Sequence, residues 1–211
     1  MYDAIVDCKG LPCPQPIIRL KGLLGESSPA AVLVIVDNEA AVENVCRFLS
    51  ANGYAAEHTP DTETAGLWRV AAFRDATGPE GRPPAVAAAP RSSRTFNGEG
   101  ARTLVMITSP VFGSGDDALG TSLMRNFLAT LPEFGGDLWR LVLLNGGVRL
   151  AVKGSPVLNE LRTLHDSGVD ILSCGACLEF FGLIAEKAVG ETTNMLDVVT
   201  SMQLADKVIR I

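Results

Sequence analysis

Two short phrases hold the side chains best equipped for chemistry. The first is Gly10-Leu11-Pro12-Cys13-Pro14-Gln15-Pro16, with one thiol set among prolines; the second is Cys174-Gly175-Ala176-Cys177, with two thiols three positions apart. A cysteine acts as a nucleophile through its thiolate, so the question at each phrase is what would favour ionisation. Pro14 suits the first position of a helix, where its missing N–H has no partner to lose, and Pro16 still falls in the first turn. Ile17, Leu20 and Leu24 then recur at helical spacing before Gly25. The pattern predicts a helix with Cys13 as its N-cap. There the sulfur faces unpaired backbone N–H groups and the positive end of the helix dipole, with Lys9, Arg19 and Lys21 as nearby cations. Such surroundings pull a thiol below its ordinary value of about 8.5. The competing reading is a small buried residue filling a tight turn.

The Cys174/Cys177 pair falls at the end of an apolar, β-branched run, where a helix is expected to begin. Two thiols so spaced form a reversible disulfide, and one of them is readily held as a reactive thiolate. Half of a zinc site is the alternative, but zinc needs two further ligands and this half of the chain offers only His165 as an ordinary one. A purely structural pair is the third reading. Cys8 and Cys46 read as small apolar fillers, and His58 and His165 stand apart from any ligand cluster. Gly113-Ser114-Gly115 before a helix suggests a phosphate cradle, yet no Lys follows and Asp116-Asp117 would repel an anion; a turn with an N-cap explains it better. No metal or cofactor is expected.

The elements that must position these thiols fall into two groups. Residues 2–8 predict a strand, and residues 31–36 (Ala-Val-Leu-Val-Ile-Val) a second, well-buried one. Asp37 or Asn38 caps a second helix to about residue 51, with Ala41, Val42, Val45, Phe48 and Leu49 inward and Asn52-Gly53 as its stop. Residues 54–59 and 67–73 read as a β-hairpin. The order β-α-β-α-β-β predicts an α/β two-layer sandwich over residues 1–74, with helices on one face and the other face at least partly open. Residues 75–101 carry Pro79, Pro83, Pro84 and Pro90 among Gly, Ala, Ser and Arg, without amphipathic period. They read as a flexible linker.

From residue 102 to 211 strands alternate with helices. Strands are predicted at 103–108, 139–144, 169–173 and 207–211. Helices follow Asp116-Asp117 (stripe Leu119, Leu123, Phe127, Leu131), span 156–164 and about 178–187, and start again after Thr193 or Asn194. This pattern predicts a mostly parallel three-layer α/β domain, in which functional groups gather at the carboxyl ends of strands.

Composition narrows the function classes. The 211 residues are 47% apolar with a net charge of −6, enough for real cores and without the basic stripe that nucleic acid or an anionic membrane requires. No apolar run approaches the length of a membrane span, and the first residues lack a basic segment followed by an apolar core, so a cytoplasmic location is expected. Five cysteines in a core-rich chain suggest reduced or redox-active thiols rather than a disulfide framework.

The first domain resembles the TusA/SirA-like family of sulfur carriers through Asp7-x-x-Gly10-Leu11-x-Cys13-Pro14-x-Pro16, with Lys21 at the later basic position. The second resembles the DsrE-like family through the phrases at 113–120, 145–151, 172–178 and 190–195. The tandem is similar to the YedF-like sulfurtransferase family, whose name links it to selenium metabolism. The resemblance implies a persulfide relay. Cys13 would accept sulfane sulfur from a donor such as a cysteine desulfurase and pass it on to an acceptor protein. In the second domain Cys174 fills the acting position, with Gly182 at the matching later spot, and Cys177 would resolve a Cys174 persulfide through a disulfide. Self-association through residues 102–211 is also implied. Two rival functions stand beside the relay: a dithiol oxidoreductase using Cys174 and Cys177, and a non-catalytic redox-sensing or scaffold protein.

Overall fold

A computed structural model describes residues 2–62, 64–74 and 101–211, which form two compact units. The linker assigned to residues 75–101 lies, apart from its last residue, outside the described residues.

The first unit runs β1 (Ala4–Asp7), α1 (Gln15–Glu26), β2 (Ala31–Val36), α2 (Glu39–Ala51), β3 (Ala55–Pro60), β4 (Trp68–Phe73). Its four strands are ordered β1-β2-β4-β3, with β1 parallel to β2 and the remaining pairs antiparallel. Val32, Val34 and Val36 of β2 and Val70 and Ala72 of β4 are fully buried, Ala31 and Leu33 on the other parity of β2 are buried as well, and Ile17 and Leu20 of α1 and Val42, Val45 and Leu49 of α2 are among the other buried side chains. Ile5, on the other parity of β1, is 64% exposed, consistent with a face left partly open. Asn38 is the cap of α2, its side chain accepting the Ala41 N–H at 2.7 Å. Ala41 and Phe48 are only half-buried, whereas Ala40 and Asn44 are buried.

Two expectations for α1 need correction. The helix begins at Gln15 and its N-cap is Pro14, so Cys13 lies one residue ahead of the cap. The reason is a turn that precedes the helix: Gln15 N–H reaches Pro12 O at 2.8 Å, and only from Pro14 O onward do carbonyls accept helical N–H groups, from Ile17 and Ile18. The Cys13–Pro14 peptide is cis. Gly25 does not interrupt the helix, which runs on to Glu26 with Gly22 and Gly25 on its exposed side. It stops instead where the Ser27 and Ser28 hydroxyls turn back onto Leu23 O and Leu24 O.

The second unit runs β5 (Thr103–Ile107), α3 (Asp117–Thr130), β6 (Leu138–Leu143), a 3-10 helix Asn145–Ala151, α4 (Leu158–Asp166), β7 (Asp170–Cys174), α5 (Gly175–Phe180), β8 (Glu191–Thr193), α6 (Met195–Leu204), β9 (Lys207–Arg210). The sheet is β8-β7-β6-β5-β9 and every pair is parallel. One face packs Val105, Ile107, Leu141, Leu143 and Ile171 against Met124, Leu128, Leu161, Leu164 and Leu178 of α3, α4 and α5. The opposite face, Leu104, Met106, Val142 and Leu172, is covered by α6 through Val198. The chain crosses to that face when it returns from edge strand β8 to edge strand β9, as right-handed crossovers in both winding directions require.

Three details differ from the sequence reading. The inward stripe of α3 is Gly120, Met124 and Leu128, while Leu119 is 59% and Leu123 41% exposed. Gly120 sets that rotation, since a Cβ there would meet Val111 Cβ at 2.9 Å and Phe112 O at 3.3 Å. The helix expected over 178–187 starts at Gly175 and closes by residue 180 in a Schellman motif: Leu183 N–H bonds Leu178 O, Gly182 N–H bonds Glu179 O, and Gly182 holds φ +66°. Residues 191–193, read only as the approach to a helix, form β8, which pairs with β7 at the edge of the sheet.

Candidate functional site

Cys13 is exposed, which removes the buried-filler reading. The loop that presents it is staked at the carboxyl ends of two parallel strands. Asp7, last in β1, accepts the Lys9 N–H at 3.1 Å and pairs with Lys9 Nζ at 3.0 Å. Asp37, just past β2, accepts the Gly10 N–H at 2.5 Å, and Gly10 takes φ +68°, a turn that glycine makes without steric penalty. Cys8 N–H continues the ladder to Ile35 O, and the Arg19 guanidinium donates to Asp7 O at 2.8 Å. Of the three expected cations, Lys9 and Arg19 are thus drawn to Asp7, and Lys21 is exposed on α1. The Lys9 N–H and ammonium hold Asp7 below the usual carboxylate range. Beneath the loop, Cys8 is 1% exposed and burial pushes its thiol up, in keeping with a packing role.

Asp37 is the residue that sequence reasoning missed here. It was read only as a possible helix cap, yet Asn38 caps α2 and the Asp37 carboxylate anchors the Cys13 loop from 27 residues away.

In the second unit, Cys174 closes β7, serves as N-cap of α5 and is 5% exposed. The register sets it opposite Thr193 of β8, a fully buried residue whose hydroxyl donates to Asp197 Oδ2 at 3.3 Å. Cys177, in the first turn of α5, is half-buried, and its Sγ accepts the Asn145 N–H at 3.2 Å. Asn145 holds φ +47°, a conformation Asn tolerates better than most residues. The phrase Asn145-Gly146-Gly147, part of the 145–151 resemblance, opens a 3-10 helix in the fold and brings its first N–H to Cys177. None of the five cysteines is in a disulfide.

The other candidates are placed as follows. Cys46 is half-buried on α2 with Sγ 3.9 Å from Nδ1 of exposed His58, and burial pushes its thiol up to about 11. His58 also meets Trp68 edge-on at 5.8 Å, so it is packed on one side. His165 lies 3.8 Å from Asp166 Oδ1. Among the described residues no three His, Cys, Asp or Glu side chains come together in a metal-holding group. Asp116 is the N-cap of α3 and accepts Leu119 N–H at 2.8 Å. Among the described residues no helix is long and apolar enough to cross a membrane.

Residues 4–71 match the family model described as sulfurtransferase TusA, and residues 102–211 that of the DsrE/DsrF-like family. Among solved structures, the chain is similar to a SirA-like protein from Desulfitobacterium hafniense, at 30% identity over 33% of this chain and 95% of that one, TM-score 0.30. It is also similar to the ychN protein from E. coli, at 17% identity over 52% of this chain and 99% of that one, TM-score 0.43. A conserved protein of unknown function from Bacteroides thetaiotaomicron shares 14% identity over 52% of this chain and 95% of that one, TM-score 0.37. No curated protein matches the chain significantly.

Proposed function

We propose, from the premise that the chain belongs to the DsrE/DsrF-like family and carries a TusA-type sulfurtransferase module ahead of that domain, that it is a persulfide relay. The cargo is sulfane sulfur or its selenium counterpart. The observation that carries the reading is the exposed Cys13 on a loop staked by Asp7 and Asp37, placed where a partner's persulfide can reach it.

Cys13 thiolate attacks the outer sulfur of a donor persulfide, such as that of a cysteine desulfurase. The Cys13 persulfide then passes its outer sulfur to the thiol pair of residues 102–211, or to an external acceptor protein. Both steps are thiolate exchanges and need no metal. Residues 75–101, a linker by composition, tether residues 1–74 to the second domain and keep the thiol sites at high mutual concentration. A reducing, cytoplasmic setting fits thiols that must stay unpaired between transfers. Self-association through the second domain is part of the proposal, and light scattering checks it.

The relay is tested by charging the protein with a cysteine desulfurase and cysteine, then mapping persulfide by mass spectrometry. Cys13→Ala is expected to abolish label at both sites, and Cys174→Ala to leave Cys13 labelled. Label that persists in the second domain of Cys13→Ala but vanishes from Cys13 when Cys174 and Cys177 are both replaced reverses the direction of transfer. Disulfide turnover that survives Cys13→Ser points to a dithiol oxidoreductase instead.

A further inference from the structure

The two sulfurs of the second domain are not equivalent, and the difference runs against the roles that the resemblance implies. Cys174 is 5% exposed, between β8 on one side and α5 above it. Cys177 reaches solvent in part, and its sulfur carries a directed main-chain donor, the Asn145 N–H at 3.2 Å. That donor is held on both sides: Leu144 N–H bonds Ile107 O of β5 at 2.9 Å, and Gly147 N–H returns to Leu144 O at 2.9 Å. One turn further along α5, on the side of Cys177, Phe180 is 83% exposed, its ring edge-on to Phe181 at 5.2 Å. The Arg149 guanidinium lies over Phe181 at 4.4 Å. Of the two thiols, Cys177 is thus the half-exposed one and Cys174 the buried one, and an exposed ring stands three residues on from Cys177 in α5.

Resting on the relay reading above, we propose that Cys177, not Cys174, is the thiol of the second domain that receives the transferred sulfur. Cys177 thiolate attacks the outer sulfur of a persulfide R–S–SH. A new S–S bond forms at Cys177 as the donor's S–S bond breaks, R–S⁻ leaves, and the proton stays on the transferred sulfur. Charge and electrons balance, so the step needs no oxidant or reductant.

The experiment uses the full chain with glutathione persulfide as donor, rapid alkylation, and mass spectrometry of the Cys13 and Cys174–Cys177 peptides. In Cys174→Ala, Cys177 is expected to gain sulfur at the wild-type initial rate. In Cys177→Ser, loading of the second domain is expected to slow by about tenfold or more, with Cys13 loading unchanged. Cys174 loading at the wild-type rate in Cys177→Ser overturns the assignment, as does a folded Cys174→Ala chain whose Cys177 stays empty. Should Cys174→Ala fail to fold, iodoacetamide labelling of the unaltered chain decides: Cys177 ahead of Cys174 supports the assignment, and the reverse order overturns it. Absence of sulfur at Cys13 as well as at the pair refutes the relay itself, a failure distinguishable from loading that reaches only Cys13 and Cys174.

Discussion

Gly147→Ala tests whether the Cys177 sulfur depends on how the Asn145–Ala151 helix seats against β5. A Cβ at 147 would fall well inside contact distance of Ile107 O and 3.0 Å from the Ile107 carbonyl carbon, whereas ordinary contact spans 3.4–4 Å. Relieving the carbon contact alone moves the segment by about 0.4–1 Å, and the oxygen demands more. Asn145 lies two residues upstream in the same helix. The same shift would take its N–H from 3.2 Å to about 3.6–4.2 Å from Cys177 Sγ, where a hydrogen bond is weak or gone. Overpacking of this kind costs about 1–3 kcal/mol, and the upper half of that range applies because the obstacle is main chain of an interior strand. For a domain of this size the expected fall in Tm is about 10 °C. Calorimetry on the full chain measures it, alongside the rate of Cys177 alkylation, which should differ from the parent's once the sulfur loses the N–H that positions it. Gly136→Ala is the control: its added Cβ meets nothing within 4 Å, so its stability should stay within about 0.5 kcal/mol of the parent. A Gly147→Ala chain that melts with the parent and alkylates at the parent rate refutes the reasoning.

Three further outcomes follow from the first domain. The folded Asp7 carboxyl titrates below its ordinary 3.8, so its stabilising contribution is complete above that pH and is lost as pH falls through the lower, folded value. Asp7→Asn is therefore expected to be less stable than the parent in urea at pH 7, with the gap closing below pH 3.8; a gap that persists at pH 2 contradicts this. Cys46, with its thiol pushed up to about 11, is about one-thousandth ionised at pH 8 and should be alkylated last among the partly accessible cysteines. Because the folded thiol is raised above 9.0, its contribution to stability is intact below that pH and drains as pH rises toward 11; Cys46→Ala should flatten the parent's decline over that window.

Much of this protein was legible without coordinates because its local signals agree with one another. A nearly continuous β-branched run marked β2, Asn38 and Asp116 marked helix starts, and the switch from β-α-β-α-β-β to repeated β-α units marked two architectures. The failures have a common origin. Periodicity placed Leu119 and Leu123 inside α3, but Val111 and the Phe112 main chain pressed on Gly120 and turned the helix. Cys13 read as an N-cap because the turn at Pro12 leaves no mark in the propensities. β8 is three residues long and exists only because β7 offers it an edge.

Residue type and spacing were sufficient to single out the thiols, since a sulfur among prolines and a pair three positions apart are chemical facts of the chain. Which of those sulfurs meets solvent, and which main-chain donor faces it, depended on segments distant in sequence: Asp37 on the Cys13 loop, and Asn145 on Cys177, 32 residues away. Side-chain chemistry is written locally, but exposure and hydrogen bonding come from neighbours that only folding brings together.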